Sequence, residues 1–139
     1  FDVKGVKSLQ QKALELGYAD YMSEPVVLRG YCMSPGIRLI NSGLVQLLCA
    51  QFVLHKGHTD DDVQWPFKQK ITLSIIHPGG KPERQLVVEP FHSAEHLQKP
   101  ITPKNRPAFF LVPSLNHANL SRDGYVNGDQ LRVKWEVLP

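Results

Sequence analysis

His92-Ser93-Ala94-Glu95-His96 is the stretch of this chain whose residue types come nearest to a catalytic pattern. It matches the H-x-x-E-H spacing of one class of zinc hydrolases, where two histidines bind the metal and the glutamate acts as general base. That chemistry needs a rigid helix beneath the motif and a third ligand. Pro90 and Pro100 leave room for about two helical turns, and no later helix offers an obvious further Glu. Five-residue patterns recur by chance. The expected state is a polar loop or helical turn with no metal, and a zinc hydrolase using His92, Glu95 and His96 is the remote alternative. His55 and His58, followed by Asp60, Asp61 and Asp62, supply too few ordered ligands for a calcium or zinc loop. A solvated acidic turn is expected there.

Other catalytic patterns are absent from the sequence. There is no G-x-S-x-G elbow and no Cys-His motif, and Gly79-Gly80 and Gly124 lack the surroundings of a phosphate loop. Asn119-Leu120-Ser121 fits a glycosylation site, which matters only in a secreted protein. The domain is therefore expected to be no enzyme and to carry no cofactor. Binding is the remaining chemistry. Phe91, Phe109 and Phe110 are candidates to line a groove, and strand alternation requires one of Phe109 and Phe110 to face outward, where it contacts a partner.

The elements that must position these residues read as strands. Trp65-Pro66-Phe67 leads into Ile71–Ile76, where Lys70, Thr72 and Ser74 alternate with Ile71, Leu73 and Ile75. Pro66 has no N–H and suits the start of a strand. Pro78-Gly79-Gly80-Lys81-Pro82 then turns the chain into a hairpin partner at Gln85–Val88. Phe1–Leu9 reads as an edge strand. Ser8–Gly17 reads as a helix of about two turns, capped by Ser8 and stopped by Gly17. Tyr18–Leu28 is extended and broken by Pro25. Tyr31–Ile40 is a strand with a bulge or kink at Pro35-Gly36. Leu44–Lys56 is a central strand, Ala108–Val112 a short one, Leu115–Asp123 a loop with one helical turn, and Gln130–Leu138 the closing strand. The fold class is all-β, an antiparallel sandwich with one short helix near the N-terminus.

Composition agrees. The 139 residues suit one domain, 1–139. Eleven Pro and ten Gly call for many turns. The net charge of +3 is small and its cations are scattered, so no nucleic-acid partner is expected. No apolar run reaches the length of a membrane span and Phe1-Asp2-Val3-Lys4 is not a signal peptide, so no membrane insertion and a cytoplasmic location are expected. The chain starts at Phe1 without an initiator Met and is expected to be part of a longer multidomain protein. Cys32 and Cys49 are expected to be buried free thiols, with a single bridge between adjacent strands as the alternative.

A set of ordered motifs runs through these elements. They are Gly30-Tyr31-Cys32-Met33, Phe52-Val53-Leu54-His55-Lys56-Gly57, Trp65-Pro66-Phe67 with Ile71-Thr72-Leu73, Leu97-Gln98-Lys99-Pro100, and Tyr125-Val126-Asn127-Gly128-Asp129. Together they resemble the TRAF-C domain of the MATH superfamily. The resemblance implies an eight-stranded antiparallel sandwich that binds peptide segments of receptors, adaptors or substrates by adding a strand to a sheet edge. It implies a parent that is a RING-type ubiquitin ligase or signalling adaptor, with zinc fingers and often a trimerising coiled coil elsewhere. The alternative parent is a MATH-type substrate adaptor of a cullin ligase or a deubiquitinase. The isolated domain is expected to be largely monomeric. The resemblance also shows departures: the family's receptor-binding Arg falls on Gly36 and its Tyr on Arg38, an acidic residue becomes Ser42, and a strand aromatic becomes Gln51. The family's peptide-pairing strand maps near Lys104–Ala108, where Pro107 removes a donor. Arg38, Gln51, Phe91, His92, His96, Leu97 and Phe109 are the expected partner-binding residues, with Arg38 pairing an acidic group.

Overall fold

The structure is a computed structural model that describes residues 1–90 and 95–139. Nine strands and two helices follow the order β1 (Asp2–Lys4), α1 (Val6–Leu16), β2 (Tyr18–Met22), β3 (Val26–Leu28), β4 (Tyr31–Ser42), β5 (Val45–His55), β6 (Ile71–Ile76), β7 (Arg84–Val88), β8 (Ala108–Asn116), α2 (His117–Arg122) and β9 (Gln130–Val137). One sheet has the order β1-β9-β6-β7. The larger has β2-β4-β5-β8, with β3 also paired to β4. All pairings are antiparallel. The two sheets face each other across a shared apolar core, the sandwich expected from the alternation. The strand count rises from eight to nine because Ser23-Glu24-Pro25 splits the extended segment into β2 and β3.

The core is built on aromatic rings. Phe52 on β5 lies 5.4 Å from Phe67, 5.9 Å from Phe110 and 6.1 Å from Trp135, and Tyr31 stands edge-on to Trp65 and Phe67 at 5.2 and 4.8 Å. The Trp-Pro-Phe segment thus packs its loop onto β4 and β5 of the larger sheet. Its backbone reaches further: the Phe67 N–H donates to the Leu97 carbonyl at 2.7 Å, and the Trp65 indole N–H to the Asp60 carbonyl at 2.7 Å. The first bond ties the 95–97 turn, and the second the turn at Asp60–Asp62, to the Trp-Pro-Phe segment. β6 is more deeply buried than half-buried alternation implies. Thr72 and Ser74 are buried along with Ile71, Leu73 and Ile75, because β6 lies between β7 and β9.

Three local expectations are corrected. Only Asp2–Lys4 pairs as a strand at the start, and the helix already begins at Val6, so Ser8 lies inside it and caps nothing. Its N-terminus is satisfied from the other end of the chain. The Asp129 carbonyl accepts from the Gly5 and Val6 N–H groups at 3.1 Å, and Asp129 Oδ1 accepts from the Lys7 N–H at 2.8 Å. Gly17 does end the helix, at φ 91° with its N–H on the Ala13 carbonyl. Second, β4 runs through Pro35-Gly36 with no register shift. The bulge lies in β8 instead. Third, β8 continues to Asn116, whose side chain caps α2 by accepting from the Ala118 N–H at 2.9 Å. The helical turn expected within Leu115–Asp123 is present as α2, and the part before it is the end of β8 instead of loop. Both cysteines are free thiols, Cys49 buried and Cys32 partly so.

His117, the first residue of α2, is buried, and desolvation pushes its imidazole below its ordinary value of 6.5. Burial, and secondarily the charge of Lys104, lowers His55 in the same direction. Unfolding restores the ordinary value, so the unfolded chain binds the extra protons as pH falls through about 6.5. Stability is therefore expected to decline from about pH 6.5 downward, before carboxylates titrate. Urea midpoints at about pH 7.5 and about pH 5 measure it, and His117→Gln should make the decline shallower.

Candidate functional site

β8 lies at one edge of the larger sheet, and among the described residues no further strand pairs with it there. Its backbone polarity follows from register. Leu54 and Lys56 exchange bonds with Asn105 and Pro103 at 2.9 Å, so the even-numbered residues of this part of β5 turn toward β8. Phe52 and Ala50 face Ala108 and Phe110. Phe109, between them, therefore points its N–H and C=O away from the sheet. Pro107 has no N–H on one side of it. On the other side the register jumps from Phe110↔Ala50 to Ser114↔Cys49, so Leu111, Val112 and Pro113 bulge outward. The usable edge is a short window centred on Phe109.

An apolar cavity of about 450 Å³ opens beside that window, lined by His96, Leu97, Pro107, Ala108, Phe110 and Leu111 among others. Leu97 is buried, while Phe109, Leu111 and Val112 are 43%, 49% and 82% exposed. The expected division of the phenylalanine pair holds: Phe110 turns inward onto Phe52, and Phe109 outward.

Phe109 is held by Arg38. The guanidinium lies 4.4 Å from the Phe109 ring on one side and 4.4 Å from the Tyr18 ring on the other. Its Nε and one terminal nitrogen donate to Asp20 Oδ1 at 2.6 Å and Oδ2 at 3.0 Å. Register explains the match, since Asp20 and Arg38 are direct cross-strand neighbours. The charge expected to meet a partner's acid is thus engaged by Asp20, and the side chain serves as a wall. Gln51 is opposite both Phe109 and Gly36 and is fully buried. Its Nε2 donates to Met22 Sδ at 3.1 Å and its Oε1 is buried without a partner. β2 passes close over Gly36. A Cβ added there would lie 2.6 Å from Met22 Sδ and closer still to the Tyr21 carbonyl oxygen.

Of the residues expected to bind, Arg38, Gln51 and Phe109 share one face of the larger sheet, and His96 and Leu97 approach the edge from the adjoining turn. Phe91 and His92 lie outside the described residues. Glu95 and His96 are neighbours in a single 3-10 turn, Glu95–Leu97. Among the described residues no group of three or more His, Cys, Asp and Glu is placed to hold a metal ion. Ser34 Oγ lies 2.8 Å from His55 Nε2, but among the described residues no carboxylate is hydrogen-bonded to that imidazole, and Ser34 is buried. Sequence reading did not single out Ala108, Leu111 or Val112 as binding residues. The apolar run ending in Val112-Pro113 was the available signal, because Pro at an edge marks a bulge. Among the described residues no helix is long and apolar enough to cross a membrane.

Comparison with known proteins gives a consistent result. The family profile described as TRAF/meprin, MATH domain matches residues 21–134. Human TNF receptor-associated factor 5 is 28% identical over 100 residues, covering 69% of this chain and 17% of that protein. The chain therefore spans under a fifth of that relative's length. A solved structure of TRAF5 from Notothenia coriiceps superposes with a TM-score of 0.77 at 21% identity, over 100% of this chain and 72% of that one, and establishes likeness of fold.

Proposed function

Because this chain belongs to the TRAF/meprin MATH domain family, a family of protein-interaction modules, we propose that it binds an extended peptide segment of a partner protein at the free edge of β8. The observation that carries this reading is the unpaired Phe109 backbone beside a cavity lined by apolar side chains. Backbone bonds to Phe109 would supply affinity and the cavity would take one apolar side chain. Pro107 and the bulge at 111–113 keep the pairing short, so the side-chain anchor carries more of the binding than in a long ladder. The longer protein is a signalling adaptor or RING-type ubiquitin ligase acting inside the cell, a reading supported by the likeness to TNF receptor-associated factor 5. A cross-brace of Cys and His in sequence upstream would support the ligase, and heptads would support a trimer.

Phe109→Ala tests the site. Loss of the aromatic wall should weaken binding of peptides selected on the wild-type domain by about tenfold or more, as for an interface anchor. Affinities that ignore both Phe109→Ala and Leu111→Ser would place the site elsewhere.

A further inference from the structure

The apolar cavity is bordered by His96, and a second cavity of about 410 Å³ shares that side chain. Glu95, His96, Lys99, Lys104, Asn105 and Arg106 line it, among others. Its wall is fixed by the backbone. Asn105 Nδ2 donates to the carbonyls of His96 at 3.0 Å and Gln98 at 2.8 Å, and Thr102 Oγ1 donates to the Lys104 carbonyl at 3.0 Å. Lys99 is turned aside onto Asp61. Lys104 and Arg106 have no carboxylate partner among the described residues. Two uncommitted cations therefore face this cavity against the single carboxylate of Glu95.

The chemistry of an occupant follows. Lys104 and Arg106 are two residues apart, with Cα atoms roughly 6–7 Å apart if the chain is extended between them, and their side chains leave on the same side. A carboxylate offers two oxygens in one plane. A phosphate monoester carries close to two negative charges and three acceptor oxygens, and spans two separate cations better. We propose that this cavity receives a phosphorylated serine or threonine of the same peptide whose apolar side chain enters the neighbouring cavity. The proposal rests on the edge-binding reading. The edge chain gains one residue on β5 between the pairs His55↔Lys104 and Phe52↔Ala108, so Arg106 lies two to three strand positions from Phe109. Along a peptide antiparallel to β8 that is roughly 7–10 Å. The recognised segment is thus an apolar residue followed two or three positions later by a phosphoresidue.

Three peptide mixtures with a fixed leucine, and serine, phosphoserine or glutamate at the second or third position after it, test this by fluorescence anisotropy on the 139-residue domain. The phosphoserine mixture should bind about tenfold tighter than serine, with glutamate in between. The gain should shrink as salt rises. Lys104→Gln with Arg106→Gln should reduce phosphoserine binding to the serine level and leave serine binding intact. Equal binding of serine and phosphoserine, a gain that survives the double substitution, or glutamate matching phosphoserine would overturn the phosphate site while leaving the edge reading standing. Failure of all three mixtures to bind would overturn both.

Discussion

Phe52→Ala is expected to remove about 3–5 kcal/mol of folding stability. The ring is fully buried and sits where Phe67, Phe110 and Trp135 converge. Truncation deletes the transfer energy of the ring and leaves a cavity lined by rigid aromatics, which collapse poorly into the space. A domain of this size has roughly 5–15 kcal/mol in total, so the variant would have lost a large share. Urea unfolding should show a much lower midpoint with a similar slope. A loss below about 1 kcal/mol would show that the aromatic cluster is not the structural centre of the sandwich. The effect reaches the proposed binding edge, since Phe110 packs on Phe52 and is the neighbour of Phe109. A softened core would loosen the edge strand before the rest of the sheet.

The second large effect is at Gly36. Any Cβ there meets the Tyr21 carbonyl and Met22 Sδ. The sulfur can move, because methionine is flexible. The carbonyl belongs to β2, which pairs with β4 from Tyr18↔Ile40 to Met22↔Gly36, so relief requires the strand itself to shift. Gly36→Ala should therefore cost about 1–3 kcal/mol through overpacking. Gly36→Arg, which restores the residue found here in TRAF-C domains, should detach the end of β2 instead of creating a receptor site. Thermal unfolding measures the first, and hydrogen exchange of the β2 amides the second. If Gly36→Arg retained β2 protection and gained affinity for acidic peptides, the closed state of this position would be refuted.

The strands were legible because each has a local cause. The period of two in Ile71–Ile76 and Gln130–Val137, the long apolar run Val45–His55, and the turn at Pro78–Pro82 all hold regardless of neighbours. The stop at Gly17 was legible for the same reason. The start of α1 was not, because its capping groups come from Asp129 near the other end of the chain. The size of the bulge in β8 was not legible either, since Pro113 marks an irregularity but a register jump is a property of two strands.

The candidate site divides in the same way. That one of Phe109 and Phe110 must face outward follows from strand geometry alone. That Arg38 shares a face with positions two apart from it also follows from the strand pattern. Its role was decided by cross-strand register, which sets Asp20 opposite it and brings Tyr18 and Phe109 to either side of its guanidinium. By itself, the sequence determined the all-β class, the strand segments and the membership of the TRAF/meprin MATH domain family, because alternation, turn chemistry and ordered motifs are local and additive. Only the tertiary structure decided which charges are free and which are engaged. Pairing depends on which residues meet across strands far apart in the chain, and in this fold it neutralises Arg38 with Asp20 while leaving Lys104 and Arg106 without carboxylate partners among the described residues.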